Sequence, residues 1–203
     1  MKTACLFALT LVALAFGPAA RAEEQITDPA AKQIQSFYDT LVDSMKHAKE
    51  LGLKGRYDKL KPAVDQTYNL PMMTSLVVGA GWSKLSPADQ QALIQAFERM
   101  TIANYAKNFD SYDGEKFVVD ATVQTRGVDK VVQTKLVTSS DSIPFNYRMR
   151  QSGGAWKIVD VYLNGFVSEL ATRRSDFSST LASGGAPALI KKINDLADNL
   201  MKG

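Results

Sequence analysis

Apolar residues recur along this chain with two periods, and the change between them falls near Gly114. Before that point the spacing is helical. Thr27-Asp28-Pro29 reads as a cap followed by a first-turn proline. Ile34, Phe37, Tyr38, Leu41, Met45 and Ala48 then form one apolar stripe, which Gly52 and Gly55 are expected to end. Tyr57, Leu60 and Val64 suggest a shorter second helix with Pro62 near its middle, and Pro71 to Val78 a third. Ser86-Pro87-Ala88-Asp89 is the clearest start signal: serine caps, proline takes the first turn, and the acid suits the positive helix end. The helix behind it runs to about Phe109, with Leu93, Phe97, Met100, Ile102, Tyr105 and Phe109 on a wide apolar surface.

Beyond Gly114 the period becomes two. Phe117, Val119, Ala121 and Val123 alternate with Val118, Asp120, Thr122 and Gln124. Val132, Thr134 and Leu136 follow a turn at Gly127-Val128-Asp129; Phe145, Tyr147 and Met149 alternate with Asn146, Arg148 and Arg150; Val159, Val161 and Leu163 follow Ser152-Gly153-Gly154. Four strands on short connections predict an antiparallel meander with one covered and one wet face, and helices must do the covering. Helical spacing returns from Val167 to about Leu181 and from Ala188 to Met201, where Leu189, Ile193, Leu196 and Leu200 form a stripe. The fold class is α+β: helices over about 28–110, sheet over about 115–164, helices over about 166–201, with no internal repeat.

Composition adds a leader to this picture. Lys2, an apolar run of thirteen residues from Ala4 to Phe16, the breaker Gly17-Pro18 and the small-x-small Ala20-Arg21-Ala22 predict a secretory signal peptide over residues 1–22, cleaved after Ala22. The run falls short of the ~20 residues that a membrane span needs. Residues 23–203 are then a single domain. The one cysteine, Cys5, leaves with the leader, which excludes disulfides, zinc–thiolate sites and cysteine nucleophiles from the mature chain. Losing Lys2 and Arg21 leaves 22 basic against 21 acidic residues, interspersed, with nothing like the basic stripe of a nucleic-acid binder.

Candidate chemistry is sparse. His47, the one histidine, sits among Lys46, Lys49 and Glu50 and reads as a surface residue; alone it builds neither a Ser-His-Asp triad nor most metal sites. Asp160 lies mid-strand between Val159 and Val161. A carboxylate there either acts as a desolvated base or is structural, bonded to backbone N–H groups or to Arg148 or Arg150 on the preceding strand. Arg173 and Arg174 can meet an anionic head group by paired hydrogen bonds, or form a solvated face with Glu169 and Asp176. Gly79-Ala80-Gly81-Trp82 fails both phosphate-loop spacings.

Trp82-Ser83-Lys84-Leu85-Ser86-Pro87, then Phe97 and Tyr105, then Tyr147, then Trp156-Lys157-Ile158-Val159-Asp160-Val161, then Gly165, Arg174, Ser175 and Phe177 form an ordered set. Over about residues 34–200 this set resembles the MlaC / toluene-tolerance family of periplasmic phospholipid-binding proteins. The resemblance implies a curved antiparallel sheet of the nuclear-transport-factor-like kind, with lipid acyl chains between sheet and helices. It implies a carrier and not an enzyme, shuttling lipid across the periplasm between an inner-membrane ABC transporter and an outer-membrane lipoprotein complex in support of outer-membrane lipid asymmetry. No cofactor and no metal are expected, and a monomer is.

On this implication the lipid-lining residues are Leu93, Phe97, Met100, Tyr105, Val119, Val123, Val132, Leu136, Tyr147, Met149, Val159, Val161, Leu163 and Phe166, the last near the mouth. Arg174 is expected near the head group or a partner, while Asp160, Trp82 and Trp156 are structural. The walls are expected to hold almost no polar groups. The chain departs from the family pattern around Trp82, flanked by Gly81 and Ser83, and at Thr172-Arg173-Arg174. Leu163 to Phe177, with Tyr68-Asn69-Leu70-Pro71, resembles the branch associated with hopanoid biosynthesis (HpnM), so the cargo is a diacyl phospholipid or a hopanoid-type polycyclic lipid. Two rivals remain: an enzyme of related fold with Asp160 as base, and a periplasmic interaction module with a filled core.

Overall fold

A computed structural model describes residues 25–202; the predicted signal peptide lies outside that range. Four helices come first: α1 (Pro29–Lys46), α2 (Ala48–Thr67), α3 (Leu70–Val78) and, after a 3-10 segment at Gly79–Lys84, α4 (Pro87–Asn108). A sheet of β1 (Lys116–Arg126), β2 (Asp129–Val137), β3 (Ser142–Ser152), β4 (Ala155–Leu163) and β5 (Val167–Ser168) follows, and α5 (Glu169–Leu200) ends the fold.

The start signals act as their chemistry requires. Asp28 accepts from Ala30 N at 2.8 Å and Ser86 from Asp89 N at 3.1 Å, each ahead of a first-turn proline. The stops are less direct. α1 ends at His47, five residues before Gly52; the glycine instead bends α2 at φ 61°. Pro62 sits within α2, and Gly185 (φ 64°) bends α5, so the two predicted C-terminal helices form one bent element.

The sheet is an antiparallel meander in the order β1-β2-β3-β4-β5. Its fifth strand, two residues long, was not expected; Asn164 and Gly165, both at positive φ, turn the chain back tightly enough for Val167 to pair with Leu163. Two irregularities bend the sheet. On β1, Val119 pairs with Thr134 and Val123 with Val132, so three residues face one. Between β3 and β4, Arg148 pairs with Asp160 but Met149 pairs with Ile158, leaving Val159 as the extra residue.

α1 lies across the covered face, touching β1, β2 and β4, while α4 packs on α5, α2 and α3. Ion pairs Lys61–Glu98 and Arg99–Asp198 fasten α4 to α2 and α5. The buried Arg56 donates to Ala106 O (2.8 Å) in the last turn of α4, where a cation suits the negative helix end, and to Ala48 O (3.0 Å) at the start of α2. Anchored to its neighbouring helices, α4 stands off the strands.

Candidate functional site

The gap beneath α4 is a cavity of about 380 Å³. Phe97, Met100 and Tyr105 descend from α4 and Phe109 from its C-cap; Phe117, Phe145, Tyr147, Val161 and Leu163 rise from the sheet; Tyr38, Leu41, Tyr68 and Met73 close the inner end. The volume lies in the ~300–1,000 Å³ range of small-molecule sites. Thr101, Asn104 and Asn108 of α4 and Glu169 and Arg173 of α5 supply the polar part of the lining.

The inner end is not free of polar groups, contrary to the expectation for a smooth apolar wall. The Tyr38 hydroxyl lies 2.7 Å from Thr134 Oγ1 and 3.0 Å from the Tyr147 hydroxyl, within hydrogen-bond distance of both, and the Thr134 hydroxyl donates to the Phe145 carbonyl. The Tyr68 and Tyr105 hydroxyls bond each other. Paired in this way, the hydroxyls are satisfied within the protein and their rings still present carbon to the cavity. Burial pushes the Tyr38, Tyr68, Tyr105 and Tyr147 phenols above the usual tyrosine range, so all four are neutral. Edge-to-face contacts of Phe37 with Tyr68 and Tyr105, at 5.7 and 5.2 Å, lock the cluster from behind.

Of the predicted lining residues, the fold brings Phe97, Met100, Tyr105, Tyr147, Val161 and Leu163 to the cavity and places the others elsewhere. Leu93, Val132 and Met149 are filled core, while Val119 and Leu136 are buried on the strands away from the lining. Val123 lies beyond the β1 irregularity and is half-buried. Val159 is displaced by the β3–β4 bulge: Ile158 takes the core-facing position opposite Met149, and Val159 is buried outside the main core cluster. Phe166 stands 78% exposed on the β4–β5 turn.

The two adjacent arginines take different places. Arg174 lies against Gly79 at the end of α3, where an added Cβ would meet Nη2 at 3.0 Å. Its neighbour Arg173 lines the cavity, bonded to Glu169. One residue along a helix is about 100° of rotation, which is why adjacency could not choose between them.

Asp160 is 5% exposed and off the cavity lining. It accepts from Val161 N (2.8 Å), the Ser168 hydroxyl (2.7 Å) and Leu170 N (3.2 Å), holding the first turn of α5 to β4. The backbone alternative is the one the structure contains. Arg148 and Arg150 instead converge on Asp129, at 2.6 and 2.5 Å. The Arg150 hydrogen bond, reinforced by Arg148, holds the buried Asp129 carboxyl below its ordinary range. Trp82 is half-buried in the 3-10 segment, and Trp156 carries the Lys130 ammonium 4.6 Å from its ring centroid. His47 sits against Asp43, away from the cavity.

The lining aromatics missed were Tyr38, a member of the first helical stripe, Phe117 and Phe145, members of strands, and Tyr68, noted only in the stretch that resembles the hopanoid-associated branch. Their placement depends on tertiary contacts, and no local spacing marks them. Among the described residues no group of three or more His, Cys, Asp or Glu is placed to hold a metal, and no helix is long and apolar enough to cross a membrane. The arrangement can enclose an apolar chain and meet a charged group at its lip.

Residues 35–195 match the family described as MlaC protein. The fold is that of a phospholipid-binding protein from Ralstonia solanacearum, solved in complex with a phospholipid, with a TM-score of 0.76. The two chains are 18% identical, and the alignment covers 86% of this chain and 100% of that one. At that identity the likeness speaks for the fold.

Proposed function

The chain belongs to the MlaC protein family, and from that premise we infer that it is a phospholipid-binding protein that carries lipid through the periplasm and is not an enzyme. The observation that carries this reading is the cavity itself: apolar walls from both layers and a polar lip. Each methylene moved from water into such a space gains ~0.8 kcal/mol, so a sixteen-carbon chain gains ~12 kcal/mol before ordering costs. Against an enzyme with Asp160 as base stands the position of that carboxylate, turned from the cavity and occupied by three donors.

A carrier delivered by a signal peptide would exchange its cargo with a transporter in the inner membrane and a lipoprotein complex in the outer membrane. The test is organic extraction and mass spectrometry of protein purified from its native periplasm without detergent. A stoichiometric diacyl phospholipid is the expected result. A polycyclic hopanoid-type lipid would keep the carrier and replace its cargo. An empty protein that also takes no lipid from vesicles would overturn the reading.

A further inference from the structure

Glu169 and Arg173 are the ionic groups of the cavity lining, one turn apart on α5 and each 26% exposed by side chain. Their pairing is one-sided. Arg173 Nε donates to Glu169 Oε1 at 2.8 Å, and Nη2 reaches the same oxygen at 2.8 Å. Glu169 Oε2 and Arg173 Nη1 have no partner among the described residues. The lip therefore presents, side by side, a carboxylate oxygen and a guanidinium nitrogen that the ion pair itself does not use.

We propose that Glu169 and Arg173 form a head-group selector that favours a zwitterionic lipid carrying a primary ammonium over a purely anionic one. This rests on the phospholipid reading above. The phosphate of a phosphatidylethanolamine meets Nη1 while its ammonium donates to Oε2, so both ends of the head group and both members of the protein pair gain a partner. A phosphatidylglycerol brings a negative charge to an arginine already neutralised by Glu169 and offers that carboxylate only hydroxyl donors. Asn104 and Asn108 are neutral and bond each other at 2.9 Å, so nothing else in the lining offsets the carboxylate. The pair's partial exposure limits the effect, since lip charges are screened by water and salt.

The test uses delipidated protein incubated with vesicles of equimolar phosphatidylethanolamine and phosphatidylglycerol bearing identical acyl chains, with bound lipid counted by mass spectrometry after re-isolation. The ethanolamine lipid should be enriched over the vesicle composition by roughly threefold to fivefold. Glu169→Gln should bring the ratio close to that of the vesicle, and Glu169→Lys should invert it. Melting curves identify any variant that has lost its fold, and the wild-type ratio stands as a test without the variants. Uptake of both lipids by the wild type without enrichment, or folded variants that leave the ratio unchanged, would overturn the selector while leaving the carrier intact. Uptake of neither lipid would overturn the carrier reading and the selector with it.

Discussion

Two stretches of the β3–β4 hairpin carry similar residues and meet different fates. Met149 and Ile158 face each other on the covered side and are buried in filled core. Two and four rungs away, Tyr147 with Val161 and Phe145 with Leu163 face the same side and border open space. The difference lies in what comes down on them. Around Ile158 the cover is close: α1, α2 and α3 all touch β4, and along the strand's edge the chain after α2 is pinned to it, with Asn69 N donating to Ile158 O at 2.9 Å and Tyr68 bridging to the same residue. Opposite Val161 the covering helix is α4, which is fastened to α2 and α5 and leaves a cavity between itself and the strands. Whether an apolar face becomes core or cavity is set by how its cover is anchored.

The sharpest way to break this comparison is to shorten a side chain on the filled side. Ile158→Ala should cost about 3 kcal/mol of stability in denaturant unfolding, because the fully buried site cannot collapse, and should leave cargo occupancy of the folded protein unchanged. Enlarging a side chain on the open side should do the reverse. Val161→Trp should lower lipid occupancy at least about tenfold by mass spectrometry. The indole enters existing space, so the variant should melt within ~1 kcal/mol of the wild type, below the usual overpacking penalty. A folded, fully loaded Val161→Trp protein would remove Val161 from the binding site.

The smallest effect belongs to the sheet's far end, where Asp129 joins β2 to Arg148 and Arg150. Its carboxyl is held below the unfolded value of ~3.9. The stabilisation is therefore complete above that value and lost as pH falls through the folded one. The melting temperature should decline on acidification below about pH 4, and the decline should be shallower in Asp129→Asn, with cargo selectivity untouched. Equal slopes in the two proteins would deny the carboxylate this role.

The boundaries of α3 and α4, and the presence and order of the four long strands though not their ends, were legible from spacing and caps, because those signals act within a few residues of where they are written. Gly52 bends a helix where termination was expected, and Gly185 bends one element where two helices were expected, since φ near 60° turns a chain without forbidding a helix on either side. Six of the fourteen expected lining residues reach the cavity. Val159 fails for a local reason, a bulge that strict alternation cannot express. Leu93, Val132 and Met149 fail for a distant one, since a filled core and a cavity wall draw on the same residue types.

By itself the sequence determined an α+β chain with a meander and helical covers, a near-absence of reactive side chains, and a family resemblance that the match over residues 35–195 bears out. These are properties of period, composition and short motifs. The tertiary structure alone decided that α4 stands away from the sheet, that Asp160 ties β4 to α5, that four tyrosine hydroxyls find partners inside the fold, and that Arg173 rather than Arg174 reaches the lip. Each depends on the separation of surfaces far apart in the chain, and that separation is set by anchors such as Arg56, Glu98 and Arg99, whose partners no local pattern names.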